Sequence, residues 1–207
     1  METQIEKLED GLWWRKNDRS YRYLEQEKDI PATVASYCDN ARVVVQAGGH
    51  CGMFVKMYAE LFDTVYTFEP DPINFYCLTK NAPANTIKFQ GVLGENHQLI
   101  SLTSDKQTLV NSGAFRIQGE GNIPTFRIDD LNLPVCDLIH LDVEGFEGFA
   151  IKGAFETINR CNPVIALEFR NFGEKYNFPD SVVKDLITSL GYIEVDKIHN
   201  DVIFKRS

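Results

Sequence analysis

The sequence predicts an α/β fold in which a mostly parallel, doubly wound sheet is covered by helices on both faces. Two observations carry this prediction. From residue 42 onward, short apolar runs alternate with helical segments, as successive βαβ units require. The last two apolar runs, residues 192–195 and 202–204, are separated by six residues and predict an antiparallel hairpin, which would close a mixed sheet.

The predicted elements follow one another closely along the chain. Residues 1–41 are polar and aromatic, and they predict an N-terminal extension of helix and loop in which a helix starts near Pro31. Residues 42–207 form the predicted α/β domain, and residues 95–127, with only short β-like pieces, are interpreted as an insertion. The predicted strands are residues 42–47, 64–68, 86–92, 137–142 and 164–169, and the predicted helices are residues 52–61, 72–81, 147–158 and 180–190.

The composition limits the classes of partner. The chain has 207 residues, 43% of them hydrophobic, which is enough for one sizeable core. Its net charge of −9 and its lack of a basic cluster argue against nucleic acid or an acidic membrane surface as a partner. Five cysteines without a C-x-x-C pair indicate reduced thiols. Because a signal-peptide pattern and a long apolar run are both missing, we expect a soluble, cytoplasmic protein.

The most informative segment is a glycine turn after the first predicted strand, followed 21 residues later by a carboxylate, Glu69 after Gly48. This is the length of a strand–helix–strand unit whose acidic residue binds a ribose. The dinucleotide pattern G-x-G-x-x-G falls on Ala47, Gly49 and Gly52, so its first glycine is missing, and no Lys or Ser/Thr follows as a triphosphate loop requires. A glycine turn without a phosphate grip favours S-adenosylmethionine, and an ordinary tight βα turn is the alternative.

Three segments together resemble one known family. They are Val44–Gly52, Phe68–Phe75 and Asp137–Gly145, and they occur in this order. The chain is similar here to the FkbM-type family of S-adenosylmethionine-dependent methyltransferases. The resemblance implies a class I methyltransferase fold, a Rossmann-like three-layer sandwich with a seven-stranded, mostly parallel sheet and an antiparallel last strand. It also implies methyl transfer to an oxygen of a small molecule or a sugar.

The resemblance also implies where the cofactor binds. Gly48 and Gly52 would lie against its methionine part, and Glu69 would accept hydrogen bonds from both ribose hydroxyls. Two positions depart from the family, because Gln46 stands where an acid is common and His50 where Asn is common. The full set of expected cofactor-binding residues is Gln46, Gly48, Gly49, His50, Gly52, Glu69, Pro70, Asp71, Gln90, Val92 and Asp142.

Methyl transfer to a hydroxyl needs an aligned acceptor and a base that takes its proton. The candidates are Asp142, Glu144 and His140, at or near the end of the fourth predicted strand. His140 has an alternative interpretation as a core histidine, and Glu147 as a helix N-terminal cap. We expect no metal, although Asp142, Glu168 and Asn171 offer the oxygen ligands that a magnesium-assisted variant would use.

Two further functions remain open from sequence alone. The acidic residue after the second strand also suits a nicotinamide-dependent oxidoreductase, and Gln46 suits a non-catalytic nucleoside-binding module. The expected partner is a small-molecule or glycan acceptor, and the oligomeric state is open. The residues Trp13, Trp14, Tyr21 and Tyr23 are either a substrate wall or a hydrophobic brace, and Asn111-Ser112-Gly113 is either a substrate contact or a turn.

Overall fold

The structure is a computed structural model, and it describes residues 4–103, 111–112 and 116–207. Its strands are β1 (Ile5–Lys7), β2 (Trp13–Arg15), β3 (Val43–Ala47), β4 (Thr64–Phe68), β5 (Thr86–Phe89), β6 (Val92–Leu93), β7 (Leu99–Thr103), β8 (Arg116–Phe126), β9 (Leu138–Leu141), β10 (Val164–Glu168), β11 (Tyr192–Ile198) and β12 (Asp201–Arg206). Its helices are α1 (Ser20–Gln26), α2 (Ile30–Ala35), α3 (Met53–Leu61), α4 (Pro72–Asn81), α5 (Glu147–Lys152), α6 (Phe155–Cys161) and α7 (Asp180–Ser189). Short 3₁₀ helices cover Ile128–Leu131 and Phe172–Tyr176.

The main sheet has seven strands in the order β11-β12-β10-β9-β3-β4-β5. Neighbouring strands are parallel except at β12, which pairs antiparallel with both β10 and β11. The last strand of the chain is therefore the antiparallel one. This confirms the predicted α/β class and the predicted hairpin.

Helices cover the sheet on both faces, because alternate residues of each central strand point to opposite sides. On β3, Val44 packs into a core with α2, α3 and α4, and Val45 packs into a second core with α5, α6 and α7. The three-layer sandwich is thereby confirmed. Residues before 42 contribute Trp14 and Val34 to the first core, so the N-terminal segment packs directly on the sheet.

The prediction of only helix and loop before residue 41 is wrong, because β1 and β2 form an antiparallel pair there. Strands of three residues give too short an alternation to be seen in sequence. Asn81 of α4 stabilises this pair from outside. Its side chain accepts from the Trp13 amide at 2.8 Å and donates to the Trp13 carbonyl at 2.7 Å, as a neighbouring strand would.

The single helix predicted over residues 147–158 is also wrong, since α5 and α6 are separate. The helical segment is interrupted at Gly153, where a Cβ would lie 2.0 Å from the Gly94 carbonyl oxygen. Asp129 then caps α6, accepting from the Thr157 amide at 2.8 Å and from the Glu156 amide at 3.3 Å. This cap comes from a distant segment, so the pattern of the helix itself does not reveal it.

The third predicted strand, residues 86–92, is divided in the structure. β5 ends at Phe89, and β6 leaves the main sheet to pair with β8 in a three-stranded sheet that also contains β7. Gly91 allows the turn, because a Cβ there would lie 2.5 Å from the ring of Phe126. The short β-like pieces expected in residues 95–127 are thus mostly the strands of this second sheet. The predicted hairpin strands 192–195 and 202–204 are longer than expected, as β11 and β12 leave only residues 199–200 between them.

Candidate functional site

The carboxyl ends of β3, β4, β9 and β10 border a cavity of about 400 Å³. This is where ligands bind in open α/β sheets. Gly48 and Glu69 follow β3 and β4, Asp142 and Glu144 follow β9, and Glu168 ends β10. The strand order therefore brings together side chains that are up to 120 residues apart in sequence.

The glycine turn forms bare backbone at this sheet edge. Gly48 has φ +83°, and a Cβ there would lie 1.9 Å from the carbonyl oxygen of Asp142. At Gly49 a Cβ would lie 2.6 Å from the Thr67 hydroxyl oxygen. Gly52, with φ +95°, precedes α3 and is packed against Leu78. Each glycine thus has its own steric reason, because neighbouring atoms already occupy the space that a side chain would need.

Gln46 supports the turn from below. Its side-chain amide donates to the carbonyl oxygens of Ala47 at 3.1 Å and Gly48 at 3.0 Å, and it accepts from the Thr67 hydroxyl at 2.7 Å. The side chain is buried, and Gln46 is not among the described residues that line the cavity. In this structure Gln46 therefore holds protein backbone in place.

Glu69 is the carboxylate at the centre of the site. Its two oxygens accept from the backbone amides of His50 at 2.8 Å and Asp71 at 2.9 Å. Burial raises the pKa of Glu69 to about 7, although these hydrogen bonds oppose the rise. Each oxygen keeps a further lone pair for a ligand hydroxyl.

His50 joins the turn to two segments that are far away in sequence. Its Nε2 lies 2.8 Å from the Ser112 hydroxyl oxygen, 3.3 Å from that of Ser20 and 3.5 Å from a carboxylate oxygen of Asp18. Burial opposes ionisation of Asp18, but the hydrogen bonds and charge of His50 and the hydrogen bond from Ser112 hold its pKa well below the usual range. This buried network ties the N-terminal segment and the insertion to the cavity wall.

A second, mainly apolar cavity of about 50 Å³ lies beside Glu69. Pro70 and Val92, both expected to bind the cofactor, line it, and Leu102 and Ile117 of the second sheet cover it. Gln90 is exposed and is not among the described residues that line either cavity.

Asp71 has the role of a helix cap. Its carboxylate accepts from the amides of Ile73 and Asn74 at the start of α4, each at 2.9 Å, and pairs with Arg15 at 3.3 Å. Within the described part of the chain it lines neither cavity.

Asp142 and Glu168 form a carboxyl pair at the ends of β9 and β10. They follow the register partners Leu141 and Leu167, and Arg170 Nη2 lies 2.7 Å from Glu168 Oε1. Burial, and then the charge of Asp142, raise the pKa of Glu168 to about 11. One proton is therefore held between the two carboxyl groups at neutral pH.

Glu144 and Glu147 lie in the same loop but have different surroundings. Glu144 lines both cavities, and burial together with the charge of Asp142 raises its pKa to about 8. Glu147 is buried and accepts from the amides of Val143 at 3.2 Å and Gly145 at 3.1 Å. Its geometry fits the expected cap at the start of α5.

His140 lies outside the candidate site. Its Nδ1 is 2.8 Å from the Tyr58 hydroxyl oxygen and its Nε2 is 2.7 Å from Asp201 Oδ1. Both ring nitrogens are thus paired in the core, and His140 is not among the described residues that line either cavity. This arrangement fits the alternative interpretation of a core histidine.

The wall opposite the sheet comes from α1, whose contribution we did not predict. Ser20, Tyr23, Leu24 and Glu27 line the cavity, together with Arg19 before the helix and Arg170 after β10. The first four recur at helical spacing, i, i+3, i+4 and i+7, and this pattern was the available signal.

The N-terminal aromatic residues divide between the two roles considered for them. Tyr23 lines the cavity, whereas Trp14 is buried in the core against the edge of Tyr21. Asn111 and Ser112 line one cavity each, and Gly113 lies outside the described residues.

The described part of the chain shows neither a cluster of metal ligands nor a membrane-spanning helix. Within residues 4–103, 111–112 and 116–207, no group of three or more His, Cys, Asp or Glu side chains is arranged to hold a metal ion. Asn171 is exposed, and its backbone N–H donates to Asp180 Oδ2 at 2.7 Å. The same ranges contain no helix with the length and apolar character to cross a membrane.

Comparison with known proteins now gives the family. Residues 46–194 match the family described as the methyltransferase FkbM domain, which is more than half of the chain. No curated protein sequence matches. The solved FkbM methyltransferase of Methylobacillus flagellatus KT is 19% identical, with a TM-score of 0.56, covering 80% of this chain and 43% of that one. The present chain thus spans less than half the length of that relative.

Two other solved structures share the fold at lower identity. Magnesium protoporphyrin IX methyltransferase from Synechocystis PCC 6803, solved with bound S-adenosylhomocysteine, is 10% identical with a TM-score of 0.53, covering 89% and 84% of the two chains. Precorrin 8w decarboxylase from Methanobacterium thermoautotrophicum is 12% identical with a TM-score of 0.51, covering 88% and 90%. These likenesses support the sheet topology, and the domain match identifies the chain as a member of the FkbM methyltransferase family.

Proposed function

We propose that this protein is an S-adenosylmethionine-dependent methyltransferase that methylates a hydroxyl oxygen of a small molecule or a sugar. One observation carries the proposal. The Glu69 carboxylate lies where the larger cavity, which carries several charged side chains, meets the apolar cavity, and both cavities share Gly48, Asp142 and Glu144. A nucleoside bound across this point would place its ribose at the carboxylate and its base in the apolar cavity.

The residues present fit such a cofactor. Pro70, Val92 and Leu93 offer an apolar surface for adenine, and Gly48, which lines both cavities, would lie against the methionine part. The 50 Å³ of the apolar cavity hold only a few water molecules. Adenine would fit here only if Leu102 and Ile117 of the second sheet lay further from Pro70 and Val92 than they do in this structure. The Synechocystis enzyme, which shares the sheet topology, was solved with bound S-adenosylhomocysteine, and this supports a ligand of the same chemistry.

Chemistry at the site follows from which groups hold protons. The cofactor supplies a methyl group on a cationic sulfonium. The larger cavity, walled by α1, holds the acceptor, and an acceptor hydroxyl there meets Asp142 and Glu144. Because burial and the charge of Asp142 raise the pKa of Glu144 to about 8, its base form increases as the pH rises from 7 to 9.

The proposal is tested by following label from methyl-labelled S-adenosylmethionine into a panel of acceptors. The panel contains free sugars, hydroxy acids and phenols, with primary amines and thiols of matched size. Labelled ether products from the full chain, and none from Glu69→Ala purified in the same way, would support the proposal. Label found only on amines or thiols would contradict methyl transfer to oxygen.

A further inference from the structure

The pair formed by Asp142 and Glu168 has a geometry that neither residue explains alone. Leu141 of β9 and Leu167 of β10 are register partners, so the residues that follow them lie side by side at the sheet edge. Both carboxyl groups line the 400 Å³ cavity. Two carboxyl groups that lie side by side at one site cannot both ionise readily, because their negative charges repel each other. One proton therefore belongs to the pair.

The surroundings of the pair are mainly negative. Arg170 Nη2 contacts Glu168 at 2.7 Å and is also 3.7 Å from Glu27 Oε1 on the other side. Asp201 lies opposite Glu168 in the register of β12, with its Oδ1 held by His140, and Glu144 contributes a further carboxyl across the cavity. A positively charged ligand would relieve this excess, and a neutral one would not.

We propose that the pair of Asp142 and Glu168 responds to the charge of the methyl donor: a cationic ligand in the cavity displaces the shared proton, and a neutral ligand leaves it. The proposal rests on the proposed function, because it takes S-adenosylmethionine as the cation. When the proton leaves, the O–H bond at the pair breaks, its electron pair stays on the carboxylate oxygen, and the proton passes to the buffer.

The same pair then accounts for the proton of the acceptor. Methyl transfer converts the cationic sulfonium to a neutral thioether, and the acceptor hydroxyl must lose one proton as its new C–O bond forms. The proton that the hydroxyl loses passes first to Glu144, the proposed base; with the ligand charge gone, the pair regains its affinity for a proton and takes this one up. The next molecule of S-adenosylmethionine displaces that proton, so charge and atoms balance over each cycle.

The test compares two ligands that differ by the methyl group and its charge. S-adenosylmethionine and S-adenosylhomocysteine are titrated into the full chain by calorimetry in phosphate and in Tris, with EDTA present. At pH 6.5 the α-amino groups of both ligands, with pKa values of about 7.7–8.0, are mostly protonated, so they contribute little to the difference in proton release. The dependence of the binding heat on the ionisation enthalpy of the buffer gives the number of protons released. We expect S-adenosylmethionine to release about one proton more than S-adenosylhomocysteine, as a single coupled site predicts.

Two isosteric variants assign the proton. Glu168→Gln keeps an acceptor for Arg170 and a donor for Asp142 but has no proton to lose, so the difference between the ligands should disappear. Glu144→Gln removes a carboxyl group with a raised pKa that lines the same cavity, and it should leave the difference intact. The opposite result for the two variants would overturn the proposal. The comparison of ligands on the unsubstituted chain does not depend on whether either variant folds.

The outcomes separate this inference from the proposed function. If both ligands bind and release equal numbers of protons, the inference fails and the proposed cofactor stands. If neither ligand binds, both fail. In a separate titration without EDTA, Mg²⁺ alone should not release the proton, and release by Mg²⁺ would show that the pair is a metal site instead.

Discussion

A carboxyl group that is buried and has a raised pKa makes the stability of the fold depend on pH, and Glu147 is the clearest case. Its Oε1 accepts from the amides of Val143 and Gly145, and burial raises its pKa from 4.5 to about 7. A carboxyl group with a raised pKa binds its proton more tightly in the folded than in the unfolded chain. Its ionisation therefore destabilises the fold progressively as the pH rises from 4.5 through 7.

The substitution Glu147→Gln removes this ionisation and keeps the accepting oxygen. Each tenfold change in proton affinity is worth about 1.4 kcal/mol, so the rise from 4.5 to about 7 corresponds to about 3 kcal/mol above pH 8. At pH 5 the same reasoning leaves less than about 1 kcal/mol. We expect the free energy of unfolding of Glu147→Gln to exceed that of the unsubstituted chain by about 2–3 kcal/mol more at pH 8.5 than at pH 5.

Urea unfolding followed by circular dichroism at the two pH values measures this difference. Glu156→Gln is the matched control, because Glu156 lies exposed on the neighbouring helix α6, and its effect should stay within about 0.5 kcal/mol at both pH values. An equal effect of Glu147→Gln at pH 5 and pH 8.5 would refute the reasoning from burial.

The remaining predictions concern the site itself. Glu69→Ala should weaken binding of S-adenosylhomocysteine by about 1.5–3 kcal/mol in calorimetry, and an unchanged affinity would refute the ribose placement. Gly48→Ala should lower the free energy of unfolding by more than about 2 kcal/mol, because its Cβ meets the Asp142 carbonyl at positive φ, and near-equal stability in urea would contradict the geometry. The specificity constant kcat/KM should rise between pH 7 and 9 in the unsubstituted chain, and this rise should be absent in Glu144→Gln. An unchanged pH profile would exclude Glu144 as the base. Treatment with EDTA should leave turnover intact, and a loss restored by Mg²⁺ would reveal a metal requirement.

The sequence predicted the central parallel strands well because they are buried on both faces. β9 and β10 are mostly apolar and are buried at every position, and such short runs bounded by turns are typical of parallel strands covered on both faces. The β1–β2 pair and the division between α5 and α6 escaped prediction because their causes are tertiary. Asn81 pairs with Trp13 across 68 residues, and the break at Gly153 depends on the close approach of Gly94.

For the site, sequence reasoning found the residues that belong to the glycine turn and to the strand ends. Gly48, Glu69, Asp142 and Glu144 all lie at the cavity. It also expected His140 there, since residues two apart on a strand share a face. That face of β9 continues from the cavity into the core, and His140, two residues before Asp142, lies in the core and not at the cavity.

The remainder of the cavity wall depends on how α1 packs over the sheet edge. Arg19 and Tyr23 reach the cavity because that helix lies across the ends of the strands. Its packing is fixed by contacts such as the one between Ser20 and His50, which join segments 30 residues apart. No local pattern encodes such a contact, although the helical spacing of the lining residues marks the face that it uses.

The most direct test of the central claim is a calorimetric titration of the full chain with S-adenosylmethionine, S-adenosylhomocysteine and NAD. If the turn at Gly48 and the carboxylate of Glu69 form the site described, both sulfur ligands bind and NAD, which needs the missing pyrophosphate grip, does not. Binding of NAD without either sulfur ligand would contradict the account and point instead to a nicotinamide enzyme.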